Sequence, residues 1–313
     1  MISVRLSTMV FIGTDNNNFS KEIITGRSSY NQRLSIPEMP KQNHLGHLVM
    51  HNDTILLCGG KLEQKCFQLT NGTWKYHSTL NEGRGLASIV STNTATFIFG
   101  GFFSKQTFEY LPKNSNTWIL GKNEIPKMHM DGCAIAVKSE QEIWLIGGYD
   151  FSNAKHATNR EIIRFNVNDH TFEKLPLKLN KGRQGPRCAF IPDTNKIIIT
   201  GGKELWETKH RFLKSSEMLD IENESIAEAS PLNTKRYQHG IGILTINDEE
   251  KLAVVGGEYC DTRMGFHRSV EIYDKETQMW KLTNLKLKEP KGGFGYLSVK
   301  IGILGEIIGG NTD

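Results

Sequence analysis

The side chains in this chain best suited to chemistry are its histidines, cysteines and tyrosines, and their spacing argues against a prebuilt catalytic or metal centre. His44, His47, His51, His129, His156, His210, His239 and His267 show neither the H-x-H nor the H-E-x-x-H pattern that puts two imidazoles on one metal. Tyr259 and Cys260 are adjacent, but neighbours on one strand point to opposite faces. The chain has no G-x-S-x-G elbow, phosphate-binding glycine loop or paired-carboxylate motif. We therefore expect no cofactor and no metal.

The five cysteines, Cys58, Cys66, Cys133, Cys188 and Cys260, are far apart and form no C-x-x-C pair. An odd number without zinc-type spacing predicts free thiols in a reducing compartment, the cytoplasm or the nucleus. Four N-x-S/T sequons begin at Asn18, Asn52, Asn71 and Asn223, about as many as chance supplies in a chain rich in these residues. The 38 Lys and Arg against 34 Asp and Glu leave a formal charge of +4 spread among many acids, so nothing announces a nucleic-acid binder. No apolar run approaches the roughly 20 residues of a membrane helix, so no membrane partner is expected either.

The elements that must position any site come from a repeat. A short apolar run ending in Gly-Gly recurs as Ile55–Gly60, Thr96–Gly101, Ile143–Gly148, Ile197–Gly202, Leu252–Gly257 and Glu306–Gly310. Successive first glycines lie 41 to 55 residues apart, and a degenerate member, Met9–Thr14, precedes them. Each run is four or five residues of β-branched and aromatic types ended by a breaker, which predicts a buried strand rather than a helix. A strand of small and apolar residues precedes each run, and two outer strands joined by a polar turn follow it. The clearest outer pair is Val270–Trp280, where Asp274 and its successors supply the turn. The nearest thing to a helical segment is Lys203–Leu219, and it lies between two strands of one repeat. Four antiparallel strands repeated around an axis make an all-β propeller in a single domain.

These residues resemble the kelch repeat: an apolar run with Gly-Gly, a Tyr-Asp-like turn, and Trp about six residues later. The lead-in to the first strand also matches, at Pro186-Arg187-Cys188-Ala189, Arg236-Tyr237-Gln238-His239 and Arg84-Gly85-Leu86-Ala87. Departures are Phe172, Ile226 and Tyr30 where Trp74, Trp118 and Trp280 stand in other repeats. The resemblance implies six blades over residues 1–313, closed by pairing strands from the two termini. Blade 1 takes 1–40 plus 292–313, blade 2 44–80, blade 3 84–121, blade 4 131–179, blade 5 185–232 and blade 6 236–287. In blade 1, 22–40 reads as the two outer strands and 293–300 as the innermost. Its second strand has two candidates, Met9–Ile12 and Glu306–Ile308, and topology favours the first.

Loop lengths point to a binding face. From the second glycine to the Trp-equivalent the distance is 14 and 17 residues in blades 2 and 3, but 24, 24 and 23 in blades 4, 5 and 6. Strands cannot vary so much, so the connection from second to third strand is longer in three successive blades, and such insertions often carry function. The first contributes Tyr149, His156 and Arg160, the second Trp206, Lys209, His210 and Arg211, and the third Tyr259, Arg263, His267 and Arg268. Neighbouring blade connections add Arg183 and Arg236. Such residue types on protruding loops suit an interface, and their charge suits an acidic partner. The expectation is a protein-interaction platform, an adaptor or substrate-recognition propeller that binds an acidic or phosphorylated segment of another protein. The oligomeric state is not legible. The resemblance also implies an alternative, since some kelch-like propellers are enzymes: copper oxidases of the galactose-oxidase type, or epimerases acting on sialic acids.

Overall fold

The computed structural model describes residues 7–15, 18–24, 36–37, 46–60, 63–104, 106–127, 129–150, 158–206, 209–260, 263–290, 292 and 295–308. The chain opens with the hairpin β1 (Ser7–Asp15) and β2 (Asn18–Ile24). Blade 2 follows as β3 (His47–His51), β4 (Thr54–Cys58), β5 (Lys65–Thr70) and β6 (Thr73–Thr79). Blade 3 is β7 (Ser88–Ser91), β8 (Ala95–Phe99), β9 (Phe108–Pro112) and β10 (Ile119–Leu120). Blade 4 is β11 (Cys133–Val137), β12 (Glu142–Ile146), β13 (Glu161–Asn166) and β14 (Phe172–Lys178).

Blade 5 holds β15 (Arg187–Phe190) and β16 (Lys196–Thr200), then a separate hairpin of β17 (Lys203–Trp206) and β18 (Lys209–Phe212). It resumes with β19 (Ser216–Asp220) and β20 (Ser225–Ala229). Blade 6 repeats that plan: β21 (Gly240–Ile246), β22 (Glu249–Val255), the hairpin β23 (Glu258–Cys260) with β24 (Met264–Phe266), then β25 (Ser269–Asp274) and β26 (Met279–Lys286). The chain returns with β27 (Gly295–Lys300) and a short helix, α1 (Ile301–Ile308). No helix among the described residues is long and apolar enough to cross a membrane.

The innermost strands β27, β3, β7, β11, β15 and β21 contact one another in turn, and β21 contacts β27. The molecule is thus a six-bladed β-propeller of antiparallel sheets. Ring closure is antiparallel pairing of β1 with β27, from Ser7 opposite Lys300 to Ile12 opposite Gly295. The N-terminal candidate therefore fills the second position of blade 1, and its third strand is Asn18–Ile24, earlier than expected. The C-terminal candidate, Glu306–Ile308, belongs to α1. Its apolar side chains Leu304 and Ile307 pack into the core of blades 1 and 2 with Ile55, Leu69 and Trp74. Tyr30 lies outside the described residues. Lys203–Leu219 is not helical: it forms the β17–β18 hairpin and most of β19.

The second strands β4, β8, β12, β16 and β22 each end in four consecutive buried residues, because sheets pack on both of their faces. Outer strands such as β14 and β20 are exposed along much of their length. The glycines after the second strand meet backbone from the next lead-in. A Cβ on Gly201, at φ +58°, would stand 2.4 Å from the carbonyl oxygen of Arg236. No side chain fits there.

The same crowding explains three buried arginines. Arg84, Arg183 and Arg236 follow a repeated Leu-Asn-x-x-Arg, at Leu80, Leu179 and Leu232, and each arginine is fully buried. Its carbonyl accepts from the second glycine of the preceding blade, Gly60, Gly148 or Gly202. Its Nη1 donates to the first glycine carbonyl of its own blade, Gly100, Gly201 or Gly256, at 2.5 to 2.8 Å. Its Nε donates at 2.8 to 3.0 Å to a buried carboxylate on the third strand, Glu109, Glu217 or Glu271. That carboxylate also accepts from the backbone amide of Asn81, Asn180 or Asn233. Blades 2 and 4 have Phe67 and Ile163 at the position of the glutamate. At the seam before blade 4, Lys127 lies 3.8 Å from Glu161 and 3.9 Å from Asp150. Phe97, Phe99, Phe108 and Phe165 pack edge-on between blades 3 and 4.

The cysteines overturn the expectation of free thiols. Cys58 and Cys66 are directly opposed on β4 and β5 and form a disulfide. Cys133 and Cys188 form a second, joining the innermost strands of blades 4 and 5 with their Cα atoms 6.0 Å apart. Cys260 is a free thiol.

Removing the carboxylate from one arginine wedge leaves a buried guanidinium without its counter-charge. Glu271→Ala is expected to lower unfolding stability by about 3–5 kcal/mol, read from the denaturant midpoint. The same change at exposed Glu276 should cost less than about 0.5 kcal/mol.

Candidate binding face and channel mouth

In an antiparallel blade, the connection from second to third strand and the connection to the next blade emerge on the same face. That face carries the β17–β18 and β23–β24 hairpins and the lead-ins to the innermost strands. Hairpins and lead-ins are knitted together by backbone pairs. Lys203 exchanges both hydrogen bonds with Gln184, and Glu258 does so with Tyr237. Tyr149 bridges both Met130 and Thr158.

The innermost strands enclose a cavity of about 410 Å³ along the axis, walled by small or apolar residues such as Ala87, Ser88, Ala134 and Ser298. Its mouth on the hairpin face is polar. Asp131, 2% exposed, accepts from the Tyr237 hydroxyl at 2.6 Å and the amides of Gln238 and Gln184 at 2.9 and 3.2 Å. Arg187 lies 3.8 Å from the other Asp131 oxygen. Its guanidinium donates to the carbonyls of His239 and Pro186 and lies 5.5 Å above the Tyr296 ring. Lys203 Nζ stands 4.2 Å from the centre of the Tyr237 ring.

Burial and the Asp131 charge push the Tyr237 phenol well above its ordinary range, so it stays protonated and donates. Burial lowers the Lys203 ammonium, against the opposing pull of Asp131 and Glu258. Tyr296 is raised by burial. Around the channel, desolvation lowers His47 and His129 to about 4 and His239 well below its usual value. These imidazoles are neutral and structural. His129 pairs with the Ser88 hydroxyl and His239 with that of Thr200, each at 2.8 Å.

The predicted site residues divide into three groups. Lys209, His210 and Arg211 are exposed on β18, and Arg263 is exposed before β24. Burial of its ring and the nearby Lys203 charge lower His210. Arg160 and Arg268 are exposed at equivalent places before the third strands of blades 4 and 6, where Nε donates to the carbonyls of Leu179 and Leu287. Tyr149 and Tyr259 are half-buried. The Tyr259 ring lies 4.5 Å from that of His267, whose Nε2 donates to the Lys235 carbonyl. Arg183 and Arg236 were expected on this face and are instead inside it, committed to Glu217 and Glu271. His156 and the Trp206 side chain lie outside the described residues.

The sequence does not single out Asp131, Gln184, Tyr237, Gln238 and Tyr296 as site residues, and it gives Arg187 as part of the kelch-like lead-in to blade 5. A signal existed: Gln184-Gly185-Pro186-Arg187 and Tyr237-Gln238 are polar runs at the entries to two innermost strands, β15 and β21. Phe102 and Phe103 were also missed. They follow the blade 3 diglycine on this face, 38% and 54% exposed, with their rings 4.9 Å apart. Among the described residues, no three His, Cys, Asp or Glu side chains are grouped to hold a metal.

The sequence matches no family model, and no curated protein matches it. Its fold does have solved counterparts. A structure of YjhT superposes with a TM-score of 0.69 at 13% identity, over 82% of this chain and 88% of that one. At that identity the likeness concerns the propeller architecture alone.

The buried neutral histidines set an acid limit on stability. In the unfolded chain they gain protons below about pH 6.5, whereas in the fold His47 and His129 resist until about 4. The unfolded state therefore binds more protons, and stability falls as pH drops from about 6.5 towards 4. The slope approaches about 1.4 kcal/mol per pH unit for each such histidine. The urea midpoint is expected to fall between pH 7 and pH 5, and to fall less in His129→Gln.

Proposed function

We propose that this chain is a kelch-like interaction propeller of the adaptor type whose hairpin face binds an acidic segment of another protein. One observation carries the reading: the basic residues of the hairpin face divide into buried ones committed to the fold and exposed ones on the β17–β18 and β23–β24 hairpins. Arg84, Arg183 and Arg236 are buried against carboxylates. Lys209, Arg211 and Arg263 project from the rim, and no ion pair involves them among the described residues. An exposed cationic rim beside a polar mouth steers and orients an acidic chain. Phe102 and Phe103 offer an apolar anchor on the same face.

A second reading, a channel enzyme, has one observation in its favour. Asp131, Tyr237, Arg187 and Lys203 gather a carboxylate, a phenol and two cations at the opening of a cavity. Arg187→Ala separates the readings, since it would abolish a channel activity and leave binding at the hairpin rim.

Binding is measured with an array of acidic, glutamate-rich peptides. Capture by the native chain is expected to weaken with salt. The triple variant Lys209→Ala, Arg211→Ala, Arg263→Ala is expected to bind roughly tenfold more weakly, about 1.4 kcal/mol, with an unchanged melting temperature. Equal capture by the native and variant proteins would overturn the proposed face.

A further inference from the structure

We propose that the chain is an oxidised, N-glycosylated protein carrying glycans on Asn52, Asn71 and Asn223, all on the face opposite the hairpins. The inference is independent of what the hairpin face binds. Disulfide pairing and the placement of the sequons both point to it.

Four of the five cysteines are paired. The two bonds have different positions in the fold. Cys58–Cys66 ties neighbouring strands within blade 2, while Cys133–Cys188 ties the inner edges of two blades, 55 residues apart in sequence. Each pairing removes two electrons and two protons from two thiols, passed to a disulfide-bearing oxidoreductase. Structural disulfides persist where thiols are not kept reduced, in secretory and extracellular compartments. Those compartments also modify Asn-x-Ser/Thr sites, which sit on surface loops of secreted proteins.

The placement of the sequons agrees. Asn52 is exposed in the turn from β3 to β4, Asn71 in the turn from β5 to β6, and Asn223 in the turn from β19 to β20. Asn52 and Asn71 hold left-handed backbone, at φ 47° and 48°, which asparagine tolerates well. The hydroxyl residues two positions on are Thr54, Thr73 and Ser225. Turns from first to second strand and from third to fourth strand emerge on one face, away from the β17–β18 and β23–β24 hairpins. A bulky sugar at these tips therefore displaces no core side chain and leaves the hairpin face uncovered. The fourth sequon differs: Asn18 begins β2, at the second-to-third-strand connection of blade 1, and it is not part of the proposal.

In the modification, the Asn side-chain nitrogen forms a bond to the anomeric carbon of a lipid-diphosphate-linked oligosaccharide. The carbon–oxygen bond to the diphosphate breaks, the lipid diphosphate leaves with the bonding electrons, and the amide loses one proton.

The test uses protein isolated from its native source, mapped by mass spectrometry before and after treatment with an amidase that removes N-glycans and converts the attached Asn to Asp. Thiols are alkylated in parallel with and without reductant. Expected are glycan loss with conversion at positions 52, 71 and 223, and alkylation of Cys260 alone before reduction. Unmodified Asn at these positions, or alkylation of all five cysteines without reductant, would overturn the proposal. Full-length Asn52→Asp, Asn71→Asp and Asn223→Asp, made in eukaryotic cells, keep a residue that tolerates the turn. Each should lose one glycan, and an unchanged glycan number in any of them rejects that site.

Discussion

A ring of radial sheets must bring backbone from adjacent blades together at its narrow inner edge, and here the buried arginine is the group that makes this possible. Two glycine turns approach where side chains cannot, which leaves carbonyl oxygens facing one another away from water. A planar guanidinium with five donors can meet several of them at once. Burying the cation would be costly alone, so a glutamate from the third strand accompanies it, held by an asparagine amide. The same three residue types recur in blades 3, 5 and 6, and Lys127 stands at the corresponding seam before blade 4. Blade 2 has Phe67 in place of the glutamate and carries the Cys58–Cys66 bond between its second and third strands.

That constraint also shapes the functional face. Because the lead-ins are fixed by the wedges and by backbone pairs to the hairpins, the polar side chains they carry have defined positions. Asp131 can then be satisfied by donors from blades 5 and 6 together, and Arg187 spans from blade 5 to Tyr296 of blade 1. The charges on β18 and before β24 extend outward from this rigid rim. A partner would meet a preorganised surface, which limits the ordering cost of association.

What the sequence shows is what repeats locally. The diglycine runs, the buried Trp74, Trp118, Trp144 and Trp280, and the three long connections are legible because each is contained in a few tens of residues. Whether a basic residue on a connection turns inward is not local. Arg183 and Arg236 were grouped with the exposed cations, although Leu-Asn-x-x-Arg together with a glutamate on the third strand marked them as structural. Cys133 and Cys188 meet only because β11 and β15 are neighbours in the ring. Ile307-Ile308-Gly309-Gly310 imitates the repeat, but so short an apolar run fits either period. With β1 already in the second position of blade 1, the C-terminal segment turns helical and packs against blades 1 and 2. The Asp131 cluster draws on three lead-ins and has no linear signature.

Pairing of β1 with β27 has a consequence for the order in which the molecule can be built. β1 waits for β27, the last strand described, and until β27 arrives one edge of the β1–β2 hairpin is unsatisfied. Contacts of such long separation form slowly and leave a sticky edge open in the meantime. Blades 2 to 6 can assemble behind the advancing chain, like tiles laid from one side. Circularity is then achieved in a single late event, which locks β1 and β27 in the same sheet.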